Sequence, residues 1–358
     1  MTRLCAFRER MPQEIGAALI SSPQNQFYLS SFHFSDGYLL VLRDEAFLLT
    51  DPRYAEAARR EASAEFTVVL SEKGMLSHVA ELLAERGVNS LWLEEAHATL
   101  SLCDRLKELL VGVTVRGGAS REISSLRAVK DEAEIDAIMR AQGITDRAFS
   151  HILSYLRPGV RELDVACELE YFMRKQGAQA PAFDTIAVSG SASSLPHGVP
   201  RDRVLERGFL TMDFGARFGG YCSDMTRTVV IGRADGEMKR LYRTVLTAQQ
   251  AALDAAAAGY ALSALDGVAR EIIDGAGYRG CFGHSLGHGV GIDIHEAPRL
   301  SARTPVEEVL MPGHVVTVEP GIYLEGKYGC RIEDMIAVRA DGSILNLTAS
   351  TKELIEVL

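Results

Sequence analysis

The chain has 358 residues, 47% of them hydrophobic and 24% charged, with a formal net charge of -10. That length supports more than one domain, and the composition excludes the disordered and fibrous classes. The acidic balance argues against nucleic acid and against a membrane as partners, since both ask for a basic face.

Residues 1–11 carry Arg3, Arg8, Glu9 and Arg10 in place of the apolar run of a signal peptide, and nowhere does an uninterrupted apolar stretch approach about 18 residues. A cytoplasmic protein is expected. The six cysteines are scattered, without a Cys-x-x-Cys pair, which predicts reduced thiols, no disulfide and no thiolate metal site.

In chain order, residues 17–20 read as a short buried strand, and 38–42 and 46–49 flank a polar turn as a hairpin. Helical spacing over 76–86, a strand at 88–93 and a helix at 100–110 complete a small α/β domain with nothing catalytic in it. The glycine pair in 116–120 predicts a boundary, so the expected domains are 1–120 and 121–358. A long helix follows over 131–156, with Ile135, Ile138, Ala141, Ala148 and Ile152 along one face.

The second domain repeats itself weakly. One helix ends at Pro158-Gly159 and leads to another over 162–176; later a helix ends at Gly259 and leads to another over 263–274. His-x-x-Pro occurs as His197 with Pro200 and as His295 with Pro298, each followed by a hairpin bearing two carboxylates. Two similar α/β halves facing each other are expected, their histidines and carboxylates converging.

In the first hairpin, a two-residue turn at Phe218-Gly219 would set Asp213 directly opposite Asp224, with Cβ atoms roughly 4.5–5.5 Å apart. Like charges so placed repel unless a cation lies between them. Centring the second hairpin on Gly326 likewise sets Glu319 opposite Glu333. Arg331, two residues before Glu333, shares its face and could neutralise surplus charge or hold a substrate. Between the hairpins, glycines at 283, 287, 289 and 291 argue against a helix, and His284, His288 and His295 crowd together out of nine histidines in the chain. A lone histidine or acidic turn is usually an ordinary core or surface feature; the weight lies in the combination. Four carboxylates and one imidazole form an oxygen-rich donor set unlike structural zinc sites. Two divalent cations would balance four negative charges and could activate water at neutral pH. Asp213-Phe214-Gly215 matches a kinase tripeptide without the accompanying loops, and 287–291 lacks dinucleotide-binding spacing.

Leu195-Pro196-His197-Gly198-Val199-Pro200, Met212-Asp213-Phe214-Gly215, Ser223-Asp224-Met225-Thr226-Arg227-Thr228, Gly287-His288-Gly289-Val290-Gly291, Ile294-His295-Glu296, Val318-Glu319-Pro320-Gly321-Ile322-Tyr323 and Arg331-Ile332-Glu333-Asp334 together resemble the pita-bread metallopeptidases, which include Xaa-Pro dipeptidase (prolidase) and aminopeptidase P. These blocks span residues 190–335; the first 120 residues fit the family's creatinase-like N-terminal domain by length and pattern. The resemblance implies an α/β catalytic domain with pseudo-twofold halves and two divalent ions, manganese or cobalt first, with zinc or iron as alternatives. It implies Asp213 on one ion, His288 and Glu319 on the other, and Asp224 and Glu333 bridging both. It further implies His197 and His295 acting on substrate with Glu319 shuttling a proton, and His284 and Arg331 at the substrate pocket. The implied substrate is a peptide with proline second, and the implied assembly a homodimer. Residues 189–194 lack the Pro-Asn that commonly follows Ser-Gly in the family. Arg299 and Arg303 could hold a dipeptide's carboxylate; aminopeptidase P, acting on longer peptides, is the alternative activity, and a non-catalytic relative the alternative class.

Overall fold

The structure, a computed structural model, describes residues 1–71 and 74–358. The chain divides into two compact units, Met1–Arg127 and Ala128–Leu358.

The first unit is built on a six-stranded mixed sheet. Its strands lie in the order Thr67–Leu70, Ala46–Thr50, Gly37–Leu42, Ala17–Ile20, Ser90–Leu93 and Thr114–Gly117. Ala17–Ile20 is buried at every position because it sits inside the sheet, antiparallel to Gly37–Leu42 and parallel to Ser90–Leu93. Helix Pro23–Ser30 starts on a proline behind the Ser22 cap, whose hydroxyl accepts from the Asn25 N–H. The expected break at Gly117-Gly118 falls inside this unit. Gly118 (φ +123) lets the backbone pass the Trp92 indole, which a Cβ would meet at 2.7 Å, and the indole N–H donates to the Gly117 carbonyl. The pair is thus a close approach, and helix Ala119–Ala128 begins directly after it.

The second unit repeats one plan. Helices Glu132–Tyr155 and Glu162–Lys175 cover a sheet ordered Glu356–Val357, Met225–Ile231, Gly208–Phe214, Ile186–Ser189. Helices Gly236–Ala255 and Leu262–Ile273 cover another, ordered Glu296–Leu300, Gly287–Gly289, Val315–Val318, Asp334–Val338, Ile344–Asn346. The long helix opens with a capping box between Asp131 and Glu134. Of its expected face, Ile138, Ala141, Ala148 and Ile152 are buried and Ile135 half-buried. The repeat extends to detail. The Leu205 N–H donates to the Val160 carbonyl at 2.9 Å, and the Leu310 N–H to that of Tyr260 at the same distance. Isolated bridges join Arg161 to Val204 and Ala261 to Val309 in the same places.

Candidate metal centre

The first acidic hairpin folds one pair out of the expected register. Its turn is Gly219-Gly220, with φ of 58 and 84°, and Phe218 pairs with Tyr221. Both central residues of such a turn need positive φ, which two glycines adopt freely and Phe218 would not. Asp213 therefore faces Thr226, and Asp224 lies two residues along, in the break between Tyr221–Cys222 and Met225–Ile231. A slip of two residues leaves both aspartates on one face. The Gly215 backbone presses on the break: a Cβ there would meet the Ser223 carbonyl oxygen at 1.8 Å.

The second hairpin keeps the expected register. Gly321 pairs with Arg331 and Val318 with Asp334, and Glu319 and Glu333 occupy the interruption between those two ladders. The histidine segment supplies strand Gly287–Gly289, flanked by Glu296–Leu300 on one side and Val315–Val318 on the other.

Donor atoms of Asp224, His288 and Glu333 lie within 4.8 Å of one another, all three buried. His288 Nε2 is 3.3 Å from Glu319 Oε1 and 3.6 Å from Asp224 Oδ2. Glu319 Oε1 also accepts from the Thr317 hydroxyl at 3.1 Å. Asp213 enters through Arg331, whose Nη2 donates to Oδ2 at 2.6 Å. Asp213 Oδ1 is buried and takes no hydrogen bond from any described residue. Thr226, from the first hairpin, donates to Glu333 Oε2 at 2.7 Å.

Electrostatics sorts these groups. Burial, then Glu333, Asp213 and Glu319, raises the Asp224 carboxyl well above its ordinary range. Burial, then Glu319 and Asp213, does the same to Glu333. Asp213 is raised by burial against the pull of Arg331. Glu319 goes the other way: burial is outweighed by the hydrogen bond and charge of His288, and the carboxyl falls to about 2. His288 in turn is raised by Glu319 against its own burial.

Carboxylates that are crowded, buried and partly without a donor fit divalent cations, and an oxygen-rich set with one imidazole fits hard or borderline ions. Asp213, Asp224, His288, Glu319 and Glu333 are the residues that would hold them.

The other expected site residues stand around this centre. His295 faces solvent beside His288, ring centroids 4.3 Å apart at 67°. Its pKa is lowered by burial and then by His288, so the ring is neutral at pH 7. His284 Nε2 lies 2.9 Å from the Tyr323 hydroxyl. His197 is exposed, and among the described residues no hydrogen bond holds its ring. Arg331 is buried and committed to the protein, donating to Asp213, to Thr226 Oγ1 at 2.9 Å, to the Tyr323 hydroxyl at 2.7 Å and to the Pro196 carbonyl at 3.3 Å. Of the two roles open to it from sequence, this placement favours neutralising surplus charge. Arg299 pairs directly with His288 across neighbouring strands, so the two share a face, while Arg303 lies in the turn beyond.

Sequence reasoning gave no role to Thr226, Arg227 or Tyr323. Among the described residues Arg227 is the largest fully buried side chain; it donates to the carbonyls of Glu333, Ser350 and Thr351 and to Asp334 Oδ1, tying one hairpin to the other. An arginine at an interior position of a strand was the available signal, since a buried guanidinium must find several acceptors.

Two family profiles match the chain: Metallopeptidase family M24 over residues 136–340, and the Creatinase/Prolidase N-terminal domain over residues 3–129. An Xaa-Pro dipeptidase of Pyrococcus furiosus is 38% identical, with 95% of each chain covered. Among solved structures, an Xaa-Pro dipeptidase from Bacillus anthracis is similar with a TM-score of 0.94 and 40% identity, covering 99% of each chain. The X-Pro aminopeptidase of Thermotoga maritima gives 0.91 and 39%, covering 98% of this chain and 99% of its own.

Proposed function

Since the chain belongs to metallopeptidase family M24, with a creatinase/prolidase N-terminal domain ahead of the catalytic one, we propose that it is an Xaa-Pro dipeptidase, cleaving the bond between a first residue and a following proline. The observation that carries the preference for dipeptides is Arg299. It is exposed on the same face as His288, and among the described residues no carboxylate pairs with it. A guanidinium there suits the free carboxylate of a dipeptide, which a longer peptide would carry further out.

Asp213, Asp224, His288, Glu319 and Glu333 would hold two divalent ions, Asp213 on one, His288 and Glu319 on the other, with Asp224 and Glu333 shared. Manganese or cobalt comes first because oxygen donors dominate. Bound ions of this kind lower the pKa of water and polarise the scissile carbonyl. The chain's own groups do the rest. The Thr317 hydroxyl holds Glu319 Oε1, so Oε2 is the atom that takes the proton of the attacking water. Water's oxygen bonds to the carbonyl carbon, the bond to the proline nitrogen breaks, and that nitrogen receives the proton from Glu319. Neutral His295 donates a hydrogen bond to the charge developing on the carbonyl oxygen, with His197 on the opposite wall. A homodimer in the cytoplasm completes the proposal. Six free thiols suit that compartment, and among the described residues no helix is long and apolar enough to cross a membrane.

The test compares an Xaa-Pro dipeptide with an Xaa-Pro-Xaa tripeptide after chelation and manganese or cobalt add-back. Dipeptide preference that disappears in Arg299→Ala is expected. A tripeptide preference would assign the chain to aminopeptidase activity, which the likeness to the Thermotoga enzyme also accommodates.

A further inference from the structure

Near the start of the second unit, outside every motif, Lys130 buries its side chain to 1% exposure and sets Nζ 2.6 Å from Glu296 Oε1, itself 8% exposed. We propose that this buried ion pair is a positioning device for His295, an inference that rests on His295 acting on substrate.

The lysine end is fixed. The Lys130 N–H donates to the Gly313 carbonyl at 2.8 Å, and Gly313 (φ +89) approaches so closely that a Cβ there would meet Val129 Cγ1 at 2.8 Å and the Lys130 carbonyl oxygen at 2.9 Å. The glutamate end reaches the catalytic face. Glu296 follows His295 at the entry to strand Glu296–Leu300, where consecutive side chains turn to opposite sides, so drawing Glu296 inward presents His295 outward beside His288. The Glu296 carboxylate lies over Gly291, where a Cβ would meet Oε1 at 2.2 Å. The Gly291 carbonyl accepts from the Cys222 N–H at 2.7 Å, two residues from Asp224. One ion pair thereby sets the loop that carries His295 against the hairpin that carries a metal ligand. Stability alone does not account for it, since a buried ion pair gains little over apolar side chains of similar size, whereas removing one partner strands a charge.

That asymmetry supplies the experiment. Lys130→Met, Glu296→Gln and the double variant Lys130→Met/Glu296→Leu are compared with the metal-loaded parent for melting temperature, metal content, kcat and KM on an Xaa-Pro dipeptide. The single Lys130→Met loses both stability and turnover. The double variant regains melting temperature and keeps its metal, yet kcat stays about 10- to 100-fold down, as misplacement of a reacting group costs, with KM moving less. Isosteric Glu296→Gln falls between it and the parent. In a His295→Ala background the double substitution lowers kcat no further. A double variant with parental kcat, or a further tenfold loss in that background, overturns the positioning role while leaving the function of His295 intact. His295→Ala with unchanged kcat overturns both the role of His295 and this proposal.

Discussion

In the hairpin of Gly208–Phe214 and Met225–Ile231, Asp213 and Asp224 are both driven toward protonation by burial and by neighbouring carboxylates, whereas in the second hairpin the two glutamates part company. Glu319 has the His288 imidazole at 3.3 Å and its carboxyl is lowered; Glu333 has a neutral hydroxyl donor, Thr226, and is raised with the crowded aspartates. Each hairpin also supplies what the other lacks, Arg331 serving Asp213 and Thr226 serving Glu333. Carboxylates of one chemical kind are thus divided by environment into one held ionised by an imidazole and a set that only a cation would render stable as anions.

The largest effect expected from breaking this division is at Asp224. Asp224→Asn should lose more metal and more activity than His284→Ala, because in the proposed centre Asp224 would serve both ions, while His284 contacts Tyr323. Metal content per chain decides it, and equal losses would contradict the ranking. Next, His197→Ala should lower kcat by about 10²–10³ with both metals retained, as removal of a donor to the transition state does. Loss of a metal there would make His197 a ligand.

Thr226→Val sharpens the contrast between the glutamates. Without its hydroxyl donor Glu333 should bind metal roughly 10- to 100-fold more weakly, measured by titration against a chelator of known affinity, while Glu319 keeps His288. The smallest effect lies away from the centre. His314 is buried, and burial with Lys130 pushes it from 6.5 to about 4. Below pH 6.5 the unfolded chain binds a proton that the fold refuses, so stability present at neutral pH is lost as pH falls toward 4, by about 2–3 kcal/mol at most. His314→Gln should flatten that slope in thermal melts of metal-loaded protein, separating the sheet's titration from the centre's.

Much of this was legible in the sequence because the chemistry depends on residue type and spacing. The second hairpin's register followed from the position of Gly326, and the faces of all four carboxylates from strand periodicity. Direct opposition of Asp213 and Asp224 did not follow, because a turn placed at Phe218-Gly219 ignored the demand of Gly219-Gly220 for positive φ. Helix Pro23–Ser30 showed no stripe, since six of its eight residues are buried. The Lys130–Glu296 pair joins residues too far apart in the chain for periodicity to connect them.

The central claim is that five converging side chains form a two-ion hydrolytic centre, and reconstitution of chelated protein tests it most directly. Manganese titrated against elemental analysis, with Xaa-Pro hydrolysis followed in parallel, should give no activity in metal-free protein and full activity at two ions per chain. Full turnover by protein shown to be free of metal would contradict the account.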